Sequence, residues 1–197
     1  MANVVLFPFK TNVNFHHEYV WTMELAHRLN LSLAFFTLAT EENERADKEA
    51  AYHELMRCRG YYVQHYQSQH RRVPKIRNKR IILTTGFFTI ESDFTNKLVD
   101  LMSIEDFFLV VLQPEFFSLR EIAKLTTTAQ STIILPEAKF FTQFDSHQAG
   151  QNFSGLFYEI LRKSEFFNIS NEFFLRLARD KSLFNYLLSF IRHQSLR

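Results

Sequence analysis

Five short apolar runs, separated by segments with helical spacing, constrain the fold of this chain more than any other feature of its sequence. The runs occupy residues 3–9, 31–39, 80–85, 107–112 and 132–135. Nearly continuous apolar runs of this length are typical of strands buried on both faces of a parallel sheet. Between the first two runs, Tyr19, Met23 and Ala26 lie at helical spacing, with Asn14 as a candidate start and Asn30 as a candidate stop. The alternation predicts an α/β fold with helices on both faces of the sheet.

The last part of the chain has a different pattern. Apolar stripes at helical spacing cover 153–161 and 183–191, with a shorter stretch around Phe173, and no strand pattern separates them. We therefore predict two units, an α/β domain over 1–137 and a helical C-terminal extension over 138–197. The apolar faces of the extension must pack on the sheet domain or on another chain.

Composition excludes several classes of site. The four glycines, at 60, 86, 150 and 155, leave no GxGxxG motif and no Walker A loop. The single cysteine, Cys58, excludes an intramolecular disulfide, and we expect it to be buried rather than activated by the arginines beside it. Seven Phe-Phe pairs favour core filling on both sheet faces over an aromatic binding surface.

Targeting signals and net charge point to no special compartment or partner. No apolar run approaches the roughly 18 residues of a membrane span, and the N-terminal pattern is not that of a signal peptide. We therefore expect a cytoplasmic protein without membrane association. The net charge of +2 does not argue for a polyanionic partner.

A basic segment over 57–80 is the one candidate surface for anions. It contains eight lysines and arginines and no acidic residue, with tyrosines interleaved. Cations beside aromatic rings suit single-stranded nucleic acid or another polyanion. The candidate anion-binding residues are Arg71, Arg72 and Lys75. A solvated loop is the favoured interpretation, so a nucleic-acid partner is not expected.

Candidate catalytic groups are scarce. His16, His17 and Glu18 begin the first predicted helix, but adjacent histidines point about 100° apart and cannot both bind one metal ion. A metal or acid–base site would need a third group, such as Gln113 or Glu115; polar first-turn residues are the favoured interpretation. No HExxH or GxSxG motif occurs. We predict no metal site, no catalytic residues and no enzymatic activity.

Four stretches between residues 3 and 137 share the pattern of one known family. They are Val5 to Phe9, Glu24 to Leu29, Glu105 to Val111, and Glu121 to Pro136. In this order the chain resembles the universal stress protein family over about two-thirds of its length. The resemblance implies a five-stranded parallel sheet of order 3-2-1-4-5, with ligand space beyond strands 1 and 4.

Many members of that family bind ATP in this space, and the chain departs from their signature. Lys10 stands at the family's aspartate position, Leu112-Gln113-Pro114 replaces the first glycine region, and Ser118-Leu119 falls near the Gly-Ser pair. We therefore expect no ATP cofactor and a non-enzymatic stress-response or regulatory module. The alternative is a nucleotide- or small-ligand-binding protein with an altered crevice. Its candidate residues are Lys10, Thr11, Asn12, Gln113, Glu115 and Ser118.

The resemblance also bears on assembly. It implies that strand 132–135 lies at an edge of the sheet through which family members commonly dimerise. An unpaired apolar edge is a liability unless it is covered. We therefore predict a homodimer formed through strand 132–135, the C-terminal helices, or both.

Overall fold

Six strands and six helices make up the part of the chain that the structure, a computed structural model, describes: residues 3–11, 13–40, 42–68, 80–85, 92–113, 115–137, 141 and 153–179. The strands are β1 (Val4–Pro8), β2 (Ser32–Ala39), β3 (Arg80–Thr85), β4 (Leu109–Val111), β5 (Thr132–Leu135) and β6 (Glu165–Phe167). The helices are α1 (His16–Arg28), α2 (Glu44–Ser68), α3 (Ser92–Ile104), α4 (Leu119–Thr128), α5 (Phe153–Lys163) and α6 (Asn171–Arg179).

The strands form one sheet in the order β3-β2-β1-β4-β5-β6. β1 lies between β2 and β4, with Val5 opposite Leu33 and Leu109, and β1 to β5 are parallel in the expected order. β6 pairs antiparallel with β5, with Ile134 opposite Phe166. The sheet is therefore mixed, and the prediction of a purely parallel five-stranded sheet is wrong. The prediction of a C-terminal extension without strands is wrong as well.

The two faces of the sheet carry two hydrophobic cores, because alternate residues of β1 point in opposite directions. Val5 and Phe7 belong to a core with α1, α2, α5 and α6, whereas Leu6 belongs to a core with α3 and α4. Phe35 belongs to the first of these cores and Phe36 to the second. The predictions of helices on both faces and of Phe pairs as core filler at this position are confirmed.

Asn14 and Asn30 lie near the two ends of α1, but the N-cap is Phe15 rather than the predicted Asn14. The Asn14 side chain accepts a hydrogen bond from the His16 N–H at 3.3 Å. Beyond the last turn, Asn30 has φ 53°, its N–H donates to the His27 carbonyl, and the Leu31 N–H donates to the Ala26 carbonyl. This pair of bonds is the Schellman motif, which directs the chain from α1 into β2.

Helix α5 docks on α1 through Trp21. The indole Nε1 donates a hydrogen bond to the Phe157 carbonyl at 3.2 Å, and the two rings stack at 5.6 Å. The Arg28 guanidinium lies 4.7 Å from the centre of the Phe157 ring and donates to the Tyr158 hydroxyl at 2.7 Å. Glu24 accepts a second bond from Arg28 at 2.7 Å. These contacts place α5 in the core that α1 covers.

Asn168 holds β6 against β5. With φ 52°, it turns the chain after β6, and its side-chain amide donates to the carbonyls of Thr126 and Ala129 at 2.7 and 2.9 Å. The Thr132 hydroxyl donates to the Asn168 carbonyl at 3.1 Å. The edge of β5 that was expected to be bare is therefore paired within the same chain. The expectation of a dimer through an unpaired 132–135 edge loses its physical basis, and homodimerisation itself stays a prediction.

Replacing Phe157 tests this docking. Phe157 is fully buried, so Phe157→Ala should lower the free energy of unfolding by about 3–5 kcal/mol. Trp21 is the only tryptophan, and its emission should shift to longer wavelength as water reaches the ring. Denaturant titration followed by fluorescence measures both. Ile104→Ala, at the exposed end of α3, is the control and should change stability by less than about 0.5 kcal/mol. Equal effects of the two substitutions would contradict the docking.

Candidate functional site

The carboxyl ends of β1 and β4 form the switch point of the sheet. From β1 the chain crosses to β2 through α1 on one face, and from β4 it crosses to β5 through α4 on the other. In open α/β sheets, ligands bind outside the strand ends at such a point. Lys10 follows β1 and Gln113 follows β4. The topology therefore brings these two candidate residues to the same edge, as the sequence predicts.

Gln113 is the most unusual side chain at this edge. Only 2% of its surface is exposed, and neither Nε2 nor Oε1 has a hydrogen-bond partner among the described residues. A buried amide without partners costs about 1–3 kcal/mol. Such a group calls for a partner beyond the described residues, such as a water molecule or a ligand.

The start of α4 is closed by its own side chains. The Ser118 hydroxyl accepts from the Glu121 N–H at 3.3 Å, and a Glu121 carboxylate oxygen accepts from the Ser118 N–H and hydroxyl at 2.8 and 2.7 Å. The Thr95 hydroxyl donates to the other carboxylate oxygen at 2.6 Å. A carboxylate thus lies at a helix N-terminus, where negative charge is stabilised. Ser118, a predicted crevice residue, is engaged in this capping box.

The charge of Glu121 is favoured by its surroundings. Burial by itself would raise the pKa of this carboxyl group. Hydrogen bonds from Thr95 and Ser118 oppose that effect, Lys10 adds a nearby positive charge, and the net pKa lies below its ordinary value of 4.5. The positive charge of Lys10 therefore favours the ionised form of Glu121, a carboxylate of the chain itself, at this edge.

Aromatic rings pack beside this carboxylate. Phe94, in the first turn of α3, lies 5.3 Å from Phe36 and 6.1 Å from Phe117 between ring centres, and all three are buried. The Lys10 ammonium lies 5.7 Å from the centre of the Phe94 ring. On the other face, Phe15 packs against Phe9 at 4.8 Å. Side chains of the protein thus line both faces of the strand ends.

The remaining candidates are more dispersed. Thr11 is partly exposed, Glu115 is exposed, and Asn12 lies outside the described residues. Burial raises the pKa of Glu18, and the charge of Glu115 raises it further against the effects of a backbone hydrogen bond and His17. The negative charge of Glu115 therefore opposes ionisation of Glu18 in the first turn of α1. The candidate anion-binding residues Arg71, Arg72 and Lys75 also lie outside the described residues.

His16 faces a different set of groups from those expected. Its Nε2 lies 3.8 Å from a carboxylate oxygen of Glu54 in α2, a residue that the sequence does not predict to be its partner. Sequence reasoning missed Glu54, Thr95 and Glu121. The Ser118-x-x-Glu121 spacing is a capping-box pattern that could have found Glu121. No local pattern could have paired His16 with α2.

Comparison with known proteins gives no family assignment. No family model matches the chain, and no curated protein matches it significantly. In the part of the chain that the structure describes, no helix is both long enough and apolar enough to cross a membrane.

The free energy of unfolding tests whether the Gln113 amide lacks a hydrogen-bond partner. Gln113→Met keeps the side-chain volume while removing the unpartnered amide, so we expect it to stabilise the protein by about 1 kcal/mol or more. Denaturant titration measures the change. Gln130→Met, at an exposed position, is the control and should have little effect. Destabilisation by Gln113→Met would mean that the amide has a partner in solution.

The pH dependence of stability tests Glu121. Because the pKa of Glu121 is lowered in the folded state, its charge stabilises the fold above the unfolded value and this contribution is lost as the pH falls below 4.5. Glu121→Gln should therefore be less stable than the wild type near pH 7, and the difference should narrow in acid. Urea titrations from pH 7 into acid measure this difference in stability, with Glu42→Gln as an exposed control. A difference that is independent of pH would contradict the charge argument.

Proposed function

We propose that the chain is a universal stress protein-like, non-enzymatic regulatory module in which side chains occupy the position that binds phosphate in ATP-binding relatives. The observation that carries this proposal is the Glu121 carboxylate, hydrogen-bonded to Ser118 and Thr95 at the N-terminus of α4. Helix N-termini at switch points are the usual phosphate sites of such sheets. In this chain the negative charge at the start of α4 comes from the Glu121 carboxylate instead of a phosphate.

Electrostatics opposes a phosphate at the same place. Two like unit charges about 4 Å apart repel by about 4 kcal/mol at the effective dielectric constant of a protein surface. That free energy corresponds to roughly a thousandfold loss of affinity. The segment between β4 and α4 contains no glycine, so its amides are shielded by side chains such as Phe116 and Phe117. Both effects support loss of the family's mode of ATP binding.

The polar groups at this edge favour a structural role over catalysis. Ser118 and Thr95 both donate to Glu121, and Lys10 contributes to its charged state. A nucleophile needs a base within hydrogen-bond reach to accept its proton. Here both hydroxyl groups are bonded to a carboxylate whose lowered pKa makes it a weak base.

The second candidate function is binding of a small neutral ligand at Gln113. The buried amide presents one donor group and one acceptor atom that the described residues leave without partners. A molecule with an adjacent acceptor and donor, such as a carboxamide or the edge of a nucleobase, would satisfy both. This alternative keeps the switch point as a ligand site but does not use the phosphate position.

In this proposal, contacts of the 57–80 segment with nucleic acid are at most weak. The module acts in the cytoplasm as a homodimer joined through its C-terminal helices. Apolar side chains exposed in the described tail, Ile169 and Leu175, support such an interface. Light scattering should give about twice the monomer mass of 23.5 kDa.

Calorimetric titration with ATP, adenosine and nicotinamide tests both candidates. The regulatory-module proposal predicts no measurable ATP binding by the wild-type protein. The second candidate predicts binding of adenosine or nicotinamide that Gln113→Met abolishes and Gln130→Met retains. Tight ATP binding by the wild type would overturn the first proposal. Absence of binding by all three compounds would count against the second.

A further inference from the structure

Three side chains with metal-binding atoms converge between the start of α1 and the middle of α2. A ring nitrogen of His16, a carboxylate oxygen of Glu54 and the Sγ atom of Cys58 all lie within 4.8 Å of one another. In a tetrahedral zinc site, ligand atoms about 2.0–2.3 Å from the ion lie roughly 3–4 Å apart. Small side-chain rotations therefore suffice to bring the three atoms around one ion.

The helices arrange this convergence. Glu54 and Cys58 are four residues apart in α2 and therefore lie on the same face. His16 is the first residue of α1, and its ring stacks on Tyr61, one turn further along α2, at 5.7 Å between ring centres and an interplanar angle of 24°. The Tyr61 ring thereby orients the imidazole toward the other two groups.

The surroundings of the cluster are those of a metal site rather than of an exposed acidic patch. Cys58 is fully buried, and the His16 and Glu54 side chains are only 17% and 14% exposed. Arg57 donates a hydrogen bond to Glu54. Carboxylate ligands of metals are commonly held by such a bond, which fixes their orientation. The partial exposure of His16 and Glu54 leaves a path to solvent.

We propose that His16, Glu54 and Cys58 bind one Zn²⁺ ion. Imidazole, thiolate and carboxylate together suit zinc, whereas Mg²⁺ and Ca²⁺ prefer oxygen ligands alone. On binding, the Cys58 thiol releases its proton to solvent and the sulfur forms the bond to zinc. Three protein ligands leave a fourth position for water, and the ion links the first turn of α1 to α2.

This site is distinct from the crevice at Gln113 and does not depend on the function proposed above. The sequence predicts no metal site because His16 and His17, adjacent on a helix, cannot bind one ion together. The structure instead places His16 with two residues of another helix, so the angle between adjacent histidines does not limit this cluster.

Titration of the metal-free full-length chain with Zn²⁺ or Co²⁺ tests the proposal. We expect binding of one ion per chain, a higher thermal midpoint with Zn²⁺, and thiolate-to-metal charge-transfer absorption with Co²⁺. Changes to residues that merely support ligands weaken metal binding by about 10–100-fold, so Cys58→Ala, Glu54→Gln and His16→Ala should each weaken it by at least about 100-fold. His53→Ala, at an exposed position beside Glu54 in α2, should bind as the wild type does.

Two results would overturn the proposal. One is the absence of thiolate-to-cobalt absorption in the wild type, a measurement that does not depend on the folding of any variant. The other is zinc affinity that stays unchanged in Glu54→Gln and His16→Ala, because such binding would occur elsewhere on the chain.

Discussion

The burial of β1 on both faces is the constraint on which the rest of the structure depends. Val5 and Phe7 require cover on one side and Leu6 on the other, so a helical layer must lie against each face. The layer over Val5 is completed by α5 and α6, whose buried side chains share the core of α1 and α2. The docking of Phe157 on Trp21 is thus part of the core rather than an addition to it.

The same packing extends to the edge of the sheet where β1 and β4 end. A chain with 23 phenylalanines and four glycines has bulky side chains where nucleotide-binding α/β sheets commonly carry a glycine-rich loop. Phe94 and Phe117 pack at the strand ends, and Glu121 supplies an anion at the start of α4. Hydrophobic burial and helix capping thereby occupy the positions from which a phosphate site would be built. The Gln113 amide, which has no partner among the described residues, is the exception, and it is the group that supports a ligand function.

The elements with strong local signals could be predicted from the sequence. β3 and β5 have the predicted bounds, and Asn30 ends α1 as expected. β4 is shorter than its apolar run, since hydrogen bonding, rather than apolar character, limits the strand to Leu109–Val111. β6 was missed because three residues are too few to show a period and only the edge of β5 gives them a partner. The cluster of His16, Glu54 and Cys58 depends on the packing of two helices, which no local pattern encodes.

A crystal structure determined with ATP in large excess tests the central claim most directly, because it observes the edge between Lys10 and Gln113 itself. The account predicts that Glu121 stays hydrogen-bonded to Ser118 and Thr95, that Phe94 stays packed on Phe36 and Phe117, and that no phosphate density lies at the start of α4. Phosphate density on the α4 amides, with the Glu121 carboxylate displaced, would contradict it.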